Sequence, residues 1–141
     1  MRYWAELLQP IGYIYCISQH DHDVVFTPPI TAIEITDEIP MPEQGDYFDG
    51  TNFIQTKILG DLISWDTLSI VANETDEATL TLTAHEYTIT VEGPYGDTFT
   101  DTVPADDPDN NYVLTVDEAG TYTITVERFP YNKKEYELNA T

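Results

Sequence analysis

Basic residues are scarce: five lysines and arginines stand against 26 aspartates and glutamates in 141 residues, a formal net charge of −21. So few cations exclude nucleic acid as an expected partner, because affinity for a phosphate backbone is built from Lys and Arg contacts. The same deficit disfavours an anionic membrane surface. Cysteine is almost lacking, and a single Cys16 excludes any intrachain disulfide. With no basic residue beside it in the run IGYIYCIS, Cys16 is expected to be a buried, inert thiol. No window approaches 18 apolar residues, so no membrane-spanning helix is expected. The opening MRYWAELLQP lacks the apolar core and small-residue cleavage site of a secretory signal, which points to synthesis in a reducing cytoplasm. Catalytic signatures are missing too: there is no G-x-S-x-G, no H-E-x-x-H and no glycine-rich phosphate loop. Among so many acids, carboxylate pairs arise by chance and none can be singled out as a hydrolytic pair. Neither an enzyme nor a cofactor is expected.

What is present is a β grammar. The chain is 41% hydrophobic and 12% aromatic, a globular composition. Residues 1–56 hold short strand-like runs, RYWAELL, IGYIYCIS and ITAIEIT, closed by a hairpin signal at Asp49-Gly50. Pro10-Ile11-Gly12 implies a turn between antiparallel neighbours. An Asp-Gly pair suits a two-residue type I′ turn, which predicts pairing of Tyr47 and Phe48 with Thr51 and Asn52. Residues 57–64 are expected to be a connector with a helical turn. From residue 65 onward the pattern becomes Thr-rich alternation: WDTLSIVAN, EATLTLTA, EYTITVE, DTFTDTV, NYVLTV, TYTITVE and KEYELNA. Leu80 and Leu82 share a face, as do Tyr87, Ile89 and Val91, and Tyr122, Ile124 and Val126. Thr fits the other face because its branched Cβ suits a pleated surface while its hydroxyl stays solvated. Seven such runs predict an antiparallel β-sandwich over 65–141, and the fold class is all-β. The near-repeat EYTITVE and TYTITVE is expected to be convergence of two inward-facing strands rather than duplication.

Candidate sites follow from side-chain chemistry. His20-Asp21-His22-Asp23 alternates imidazole and carboxylate, so two histidines could share an ion from one side of an extended segment. The third histidine, His85, is distant in sequence. Asp106, Asp107 and Asp109 are candidate calcium ligands on an acidic loop. Counting from Asp107 imitates a calcium loop with Glu118 twelfth, but Tyr112 stands where that loop needs glycine. Tyr95 and Tyr131 sit in the turns GPYGD and FPYNK and are expected to be exposed recognition residues.

Two resemblances organise these readings. Glu118-Ala119-Gly120-Thr121-Tyr122 resembles the D-x-G-x-Y corner of immunoglobulin-like domains, with Glu for Asp, and Ile124 stands where antibody domains have cysteine. That resemblance implies a disulfide-free Ig-like sandwich, seven-stranded, in which Tyr122 hydrogen-bonds back to upstream backbone. The first 55 residues, in the order Tyr3-Trp4-Ala5, Gly12–Ser18, Ile33–Asp37 and Phe48–Phe53, resemble small tail-associated proteins of tailed bacteriophages, including pieces related to tail fibre assembly proteins. This second resemblance implies a virion structural protein present in multiple copies and assembled in a bacterial cytoplasm. Residues 1–56 would dock on other virion proteins through Tyr3, Trp4, Tyr47, Phe48 and Phe53. A tail, fibre-attachment or baseplate role leads. A capsid decoration protein, a transient fibre-assembly chaperone and a calcium-dependent carbohydrate-binding module remain as alternatives.

Overall fold

The computed structural model describes residues 2–8, 12–20, 31–38, 41–83, 85–106 and 110–141, with backbone alone for Leu8, Tyr15, Cys16 and His20. The chain divides into two compact units, Met1–Lys57 and Ile58–Thr141. Both are built from β-strands, as the composition and alternation predict. The only helical structure among the described residues is one short stretch: a 3-10 turn at Thr56–Ile58 running into a helix of four residues, α1, Leu59–Leu62.

The first unit is one five-stranded antiparallel sheet. Its strands are β1 (Arg2–Leu8), β2 (Tyr13–His20), β3 (Thr31–Glu34), β4 (Tyr47–Phe48) and β5 (Phe53–Ile54), in the order β3-β1-β2-β4-β5. Its core is small: Ala5, Leu7, Ile14 and Ile35 are buried, with Tyr3, Ile17, Ile33, Phe48 and Phe53 packed round them. Ile14 and Ile17 are three apart, a spacing that puts two residues on opposite faces of a regular strand. A register shift resolves this: Glu6 faces Cys16 and Leu7 faces Ile14, leaving one extra residue on β2. This bulge returns both isoleucines to the core face.

The second unit has two sheets around one core. Among the described residues it contains β6 (Ser64–Trp65), β7 (Ser69–Ile70), β8 (Ala78–Thr81), β9 (Tyr87–Glu92), β10 (Thr98–Val103), β11 (Asn111–Leu114), β12 (Gly120–Glu127) and β13 (Lys134–Ala140). One sheet has the order β10-β9-β12-β13-β7 and the other β11-β8-β6. Leu80, Ile89, Ile124, Val126 and Leu138 lie at or near zero exposure between them, so the architecture is sandwich-like. The inward triplets of β9 and β12 are buried at alternate positions as their period requires. The two strands are adjacent, with Ile124 opposite Val91 and Val126 opposite Ile89, so near-identical sequences serve one shared face.

One expected run does not stay whole. WDTLSIVAN forms two strands in different sheets: Trp65 faces Leu80 in the smaller sheet, while Ile70 runs parallel to β13 in the larger. The residues between explain the switch. The Asp66 carboxylate accepts the amides of Thr67 (2.6 Å) and Thr79 (2.7 Å), and the Thr67 hydroxyl accepts the Ser69 amide (3.1 Å). Side-chain oxygens thus take amides that a continuous ladder would use. The segment 57–64, expected as a connector, contributes Leu59 and Ile63 to the second unit's core.

The corner before β12 is tightly made. The Tyr122 hydroxyl donates to the Glu118 carbonyl at 2.9 Å. Gly120 has φ +151, and a Cβ there would stand 2.6 Å from the Pro94 ring. Burial first, then the carboxylates of Glu118 and Asp117, raise the Tyr122 pKa. Tyr122→Phe is expected to cost about 1 kcal/mol in urea unfolding, and Gly120→Ala about 1–3 kcal/mol because the corner cannot admit a methyl group. Tyr112 and Tyr136 are also raised, chiefly by burial. A raised folded pKa favours the neutral phenol, so stability is whole below about pH 10 and falls as pH rises through the folded values. Unfolding midpoints measured across that range check the sign.

Candidate functional site

The five aromatic residues expected to dock divide between the two faces of the first unit's sheet. Tyr3, Phe48 and Phe53 pack on its core, with the Phe48 and Phe53 rings 4.8 Å apart. Trp4 and Tyr47 alternate with them and so lie on the opposite face. There Tyr47 meets Tyr13, opposite it in the ladder, with ring centroids 5.3 Å apart at 60°. Burial and the Tyr47 neighbour raise the Tyr13 pKa. All five are half-buried: three border the small core, and two lie on the other face of the sheet. Tyr13 escaped the sequence reading; its pairing with Tyr47 depends on the strand order, which no local pattern encodes.

The hairpin at Asp49-Gly50 forms in a different register from the one expected. Phe48 faces Phe53 and Tyr47 faces Ile54, so the connection is Asp49–Asn52 and not a two-residue turn. Gly50 has φ +101, whereas Asp49 is not among the residues of positive φ, which a type I′ turn would demand of it. The Asp49 carboxylate instead accepts the amides of Thr51 (2.8 Å) and Asn52 (2.7 Å). The loop is therefore organised by an aspartate side chain bonding the backbone ahead of it. Those two amides lower the Asp49 pKa, Asn52 contributing most. Behind the loop, Asp46 is 3% exposed and its carboxylate accepts the Glu43 amide at 2.8 Å and the Thr56 amide at 3.3 Å. It lines a cleft of about 270 Å³ with Glu38 and Asn52, but both its oxygens are occupied in holding the loop. Gly12 completes the arrangement: at φ +86 it accepts the Phe48 amide, and a Cβ would stand 2.9 Å from the Phe48 carbonyl.

In the second unit, the two turn tyrosines differ. Tyr95 is 75% exposed at the tip of the β9–β10 hairpin. Beneath it, Tyr122, Phe99, Asp97 and Glu118 bound a hollow of about 130 Å³. Tyr131, also expected to be exposed, is half-buried against the core, with the Arg128 guanidinium 4.9 Å from its ring centroid. The core on one side and the Arg128 guanidinium over its ring cover it. Asp106 is exposed, while Asp107 and Asp109 lie outside the described residues. So do Asp21, His22, Asp23 and the His20 side chain. Among the described residues no group of three His, Cys, Asp or Glu could hold a metal ion. His85 is exposed at the surface, its pKa lowered by partial desolvation and by Arg128.

A groove of about 460 Å³, not anticipated from the sequence, lies beside α1 and the start of β13. Trp65 and Tyr136 form its aromatic wall, edge to face with centroids 6.2 Å apart. Lys134 stands 5.9 Å from the Tyr136 ring centroid, and its stem passes over Gly60. Asp61 lines the groove as well.

The Asp49 loop carries a definite pH dependence. A carboxyl whose folded pKa is depressed adds stability above its unfolded value, near 3.9, and loses it as pH falls through the folded value. The stability difference between wild type and Asp49→Asn is expected to be level near neutrality and to close below about pH 4, read by denaturant unfolding at a series of pH values. No family model, no curated protein and no solved structure matches the chain.

Proposed function

We propose that this chain is a structural component of a tailed-bacteriophage virion, a tail, fibre-attachment or baseplate accessory protein whose first unit docks and whose second unit is an Ig-like domain. The observation that carries the reading is the corner at Glu118–Tyr122. A tyrosine opening the strand paired with the last long strand sends its hydroxyl back four residues to backbone, as the Ig-like resemblance requires. The strand order supports it as well. The first run of the sandwich is shared between the sheets, one part antiparallel to β8 and the other parallel to the last strand. The first unit's small core and its half-buried aromatics on both faces of the sheet support docking. A sheet of this size gains much from a neighbour, and its outer strands β3 and β5 each pair on one side only among the described residues. The charge of −21 suits a cationic protein partner and steers association with it.

Quantitative mass spectrometry of purified particles tests the proposal. The chain is expected at a fixed whole-number ratio to known structural proteins, in the tail fraction after heads and tails are separated. Recovery only in the head fraction would favour capsid decoration, and absence from particles would favour a transient assembly role. Removing residues 1–57 is expected to leave a folded sandwich that no longer enters particles.

A further inference from the structure

We propose that the groove bounded by Trp65, Tyr136, Asp61 and Lys134 binds a saccharide, independently of calcium. Three features of the second unit point to that class of ligand. Trp65 and Tyr136 meet at an interplanar angle of 69° and present two aromatic surfaces to one volume of about 460 Å³. An open aromatic wall suits a flat, partly apolar body with a polar rim, because aromatic faces attract C–H edges and exclude water there. Lys134 and Asp61 bring an ammonium and a carboxylate to the same groove, and neither has a carboxylate or cation partner within ion-pair distance among the described residues. A sugar hydroxyl can donate to the Asp61 carboxylate and accept from the Lys134 ammonium, and such charge-assisted hydrogen bonds are the strong ones. The stem of Lys134 crosses Gly60, where a Cβ would meet it at 3.6 Å, and its ammonium lies 5.9 Å from the Tyr136 ring centroid, which brings the charge to the aromatic wall.

The other carboxylate of the groove, Asp66, is already committed to the amides of Thr67 and Thr79 and shapes the wall instead of contacting ligand. A phosphorylated ligand is disfavoured by a protein of this net charge, and one lysine beside two aspartates gives no phosphate cradle. A purely apolar ligand would leave both charges unanswered.

The full chain is tested first on an array of immobilised neutral and acidic oligosaccharides, with and without EDTA. Binding is expected on a subset of them and unchanged by the chelator. The best free oligosaccharide is then titrated against wild type, Asp61→Ala and Lys134→Ala by tryptophan fluorescence and calorimetry. Both replaced residues are exposed, so thermal midpoints should not move, while affinity falls about tenfold or more in each. Tyr136→Ala should abolish binding, and Tyr95→Ala should not affect it. No binding to any saccharide overturns the proposal. So does binding that Asp61→Ala and Lys134→Ala leave intact, or capture of a polylysine peptide in place of any sugar. The result stands apart from the virion reading, which particle composition alone decides.

Discussion

Tyr122, Ile124 and Val126 face inward from a strand that is hydrogen-bonded on both sides, to β9 and to β13, and the second unit is built outward from that strip. Burial of alternate residues on β12 and β9 gives the larger sheet its inner face. The smaller sheet, with Ala78, Leu80 and Leu114, covers it. Hydrophobic transfer of this stripe from water is the dominant favourable term and is proportional to area, so neighbouring elements are placed by what they cover. Leu59 and Ile63 join the core for that reason, which draws α1 into the second unit. At the strip's start, Gly120 against Pro94 and the Tyr122 hydroxyl on Glu118 fix where the chain turns in.

The large acid excess acts locally as well as through its field. Asp46, Asp49, Asp66 and Asp76 each accept backbone amides, at distances from 2.6 to 3.3 Å. In a β protein with short strands, many amides near turns have no ladder partner, and a carboxylate nearby in the chain, or across the fold as Asp46 is to Thr56 and Asp66 to Thr79, satisfies them. The aspartates thus end strands and shape loops. Cations in the second unit take a different role: Arg128 lies over Tyr87 and Tyr131, and Lys134 near Tyr136. Cation–π attraction holds them on aromatic faces and leaves their charge available at the surface.

Several features were legible in the sequence because they rest on periods of two and on local turn chemistry. The all-β class, the inward triplets of β9 and β12, the antiparallel pairing of β1 with β2 and the Tyr122 corner follow from residues close together in the chain. The hairpin was half legible. Asp49-Gly50 marks a turn, but the register moved outward because the Asp49 carboxylate captured two amides and Phe48 found Phe53 across the strands. The split of WDTLSIVAN shows the same limit, since alternation is identical whether a run stays in one sheet or passes between two.

The sequence alone carries the class of fold, the strip of side chains that forms the second core, and a net charge of −21. Side-chain period, turn residues and net charge are local or additive quantities, and a single chain states them outright. Only the tertiary structure decided which aromatics share a face, that Tyr131 lies beneath Arg128 while Tyr95 stands clear, and that Trp65 and Tyr136 meet across a groove. Those outcomes depend on strand order and on contacts between residues up to 71 positions apart, a separation that no periodic pattern along the chain can encode.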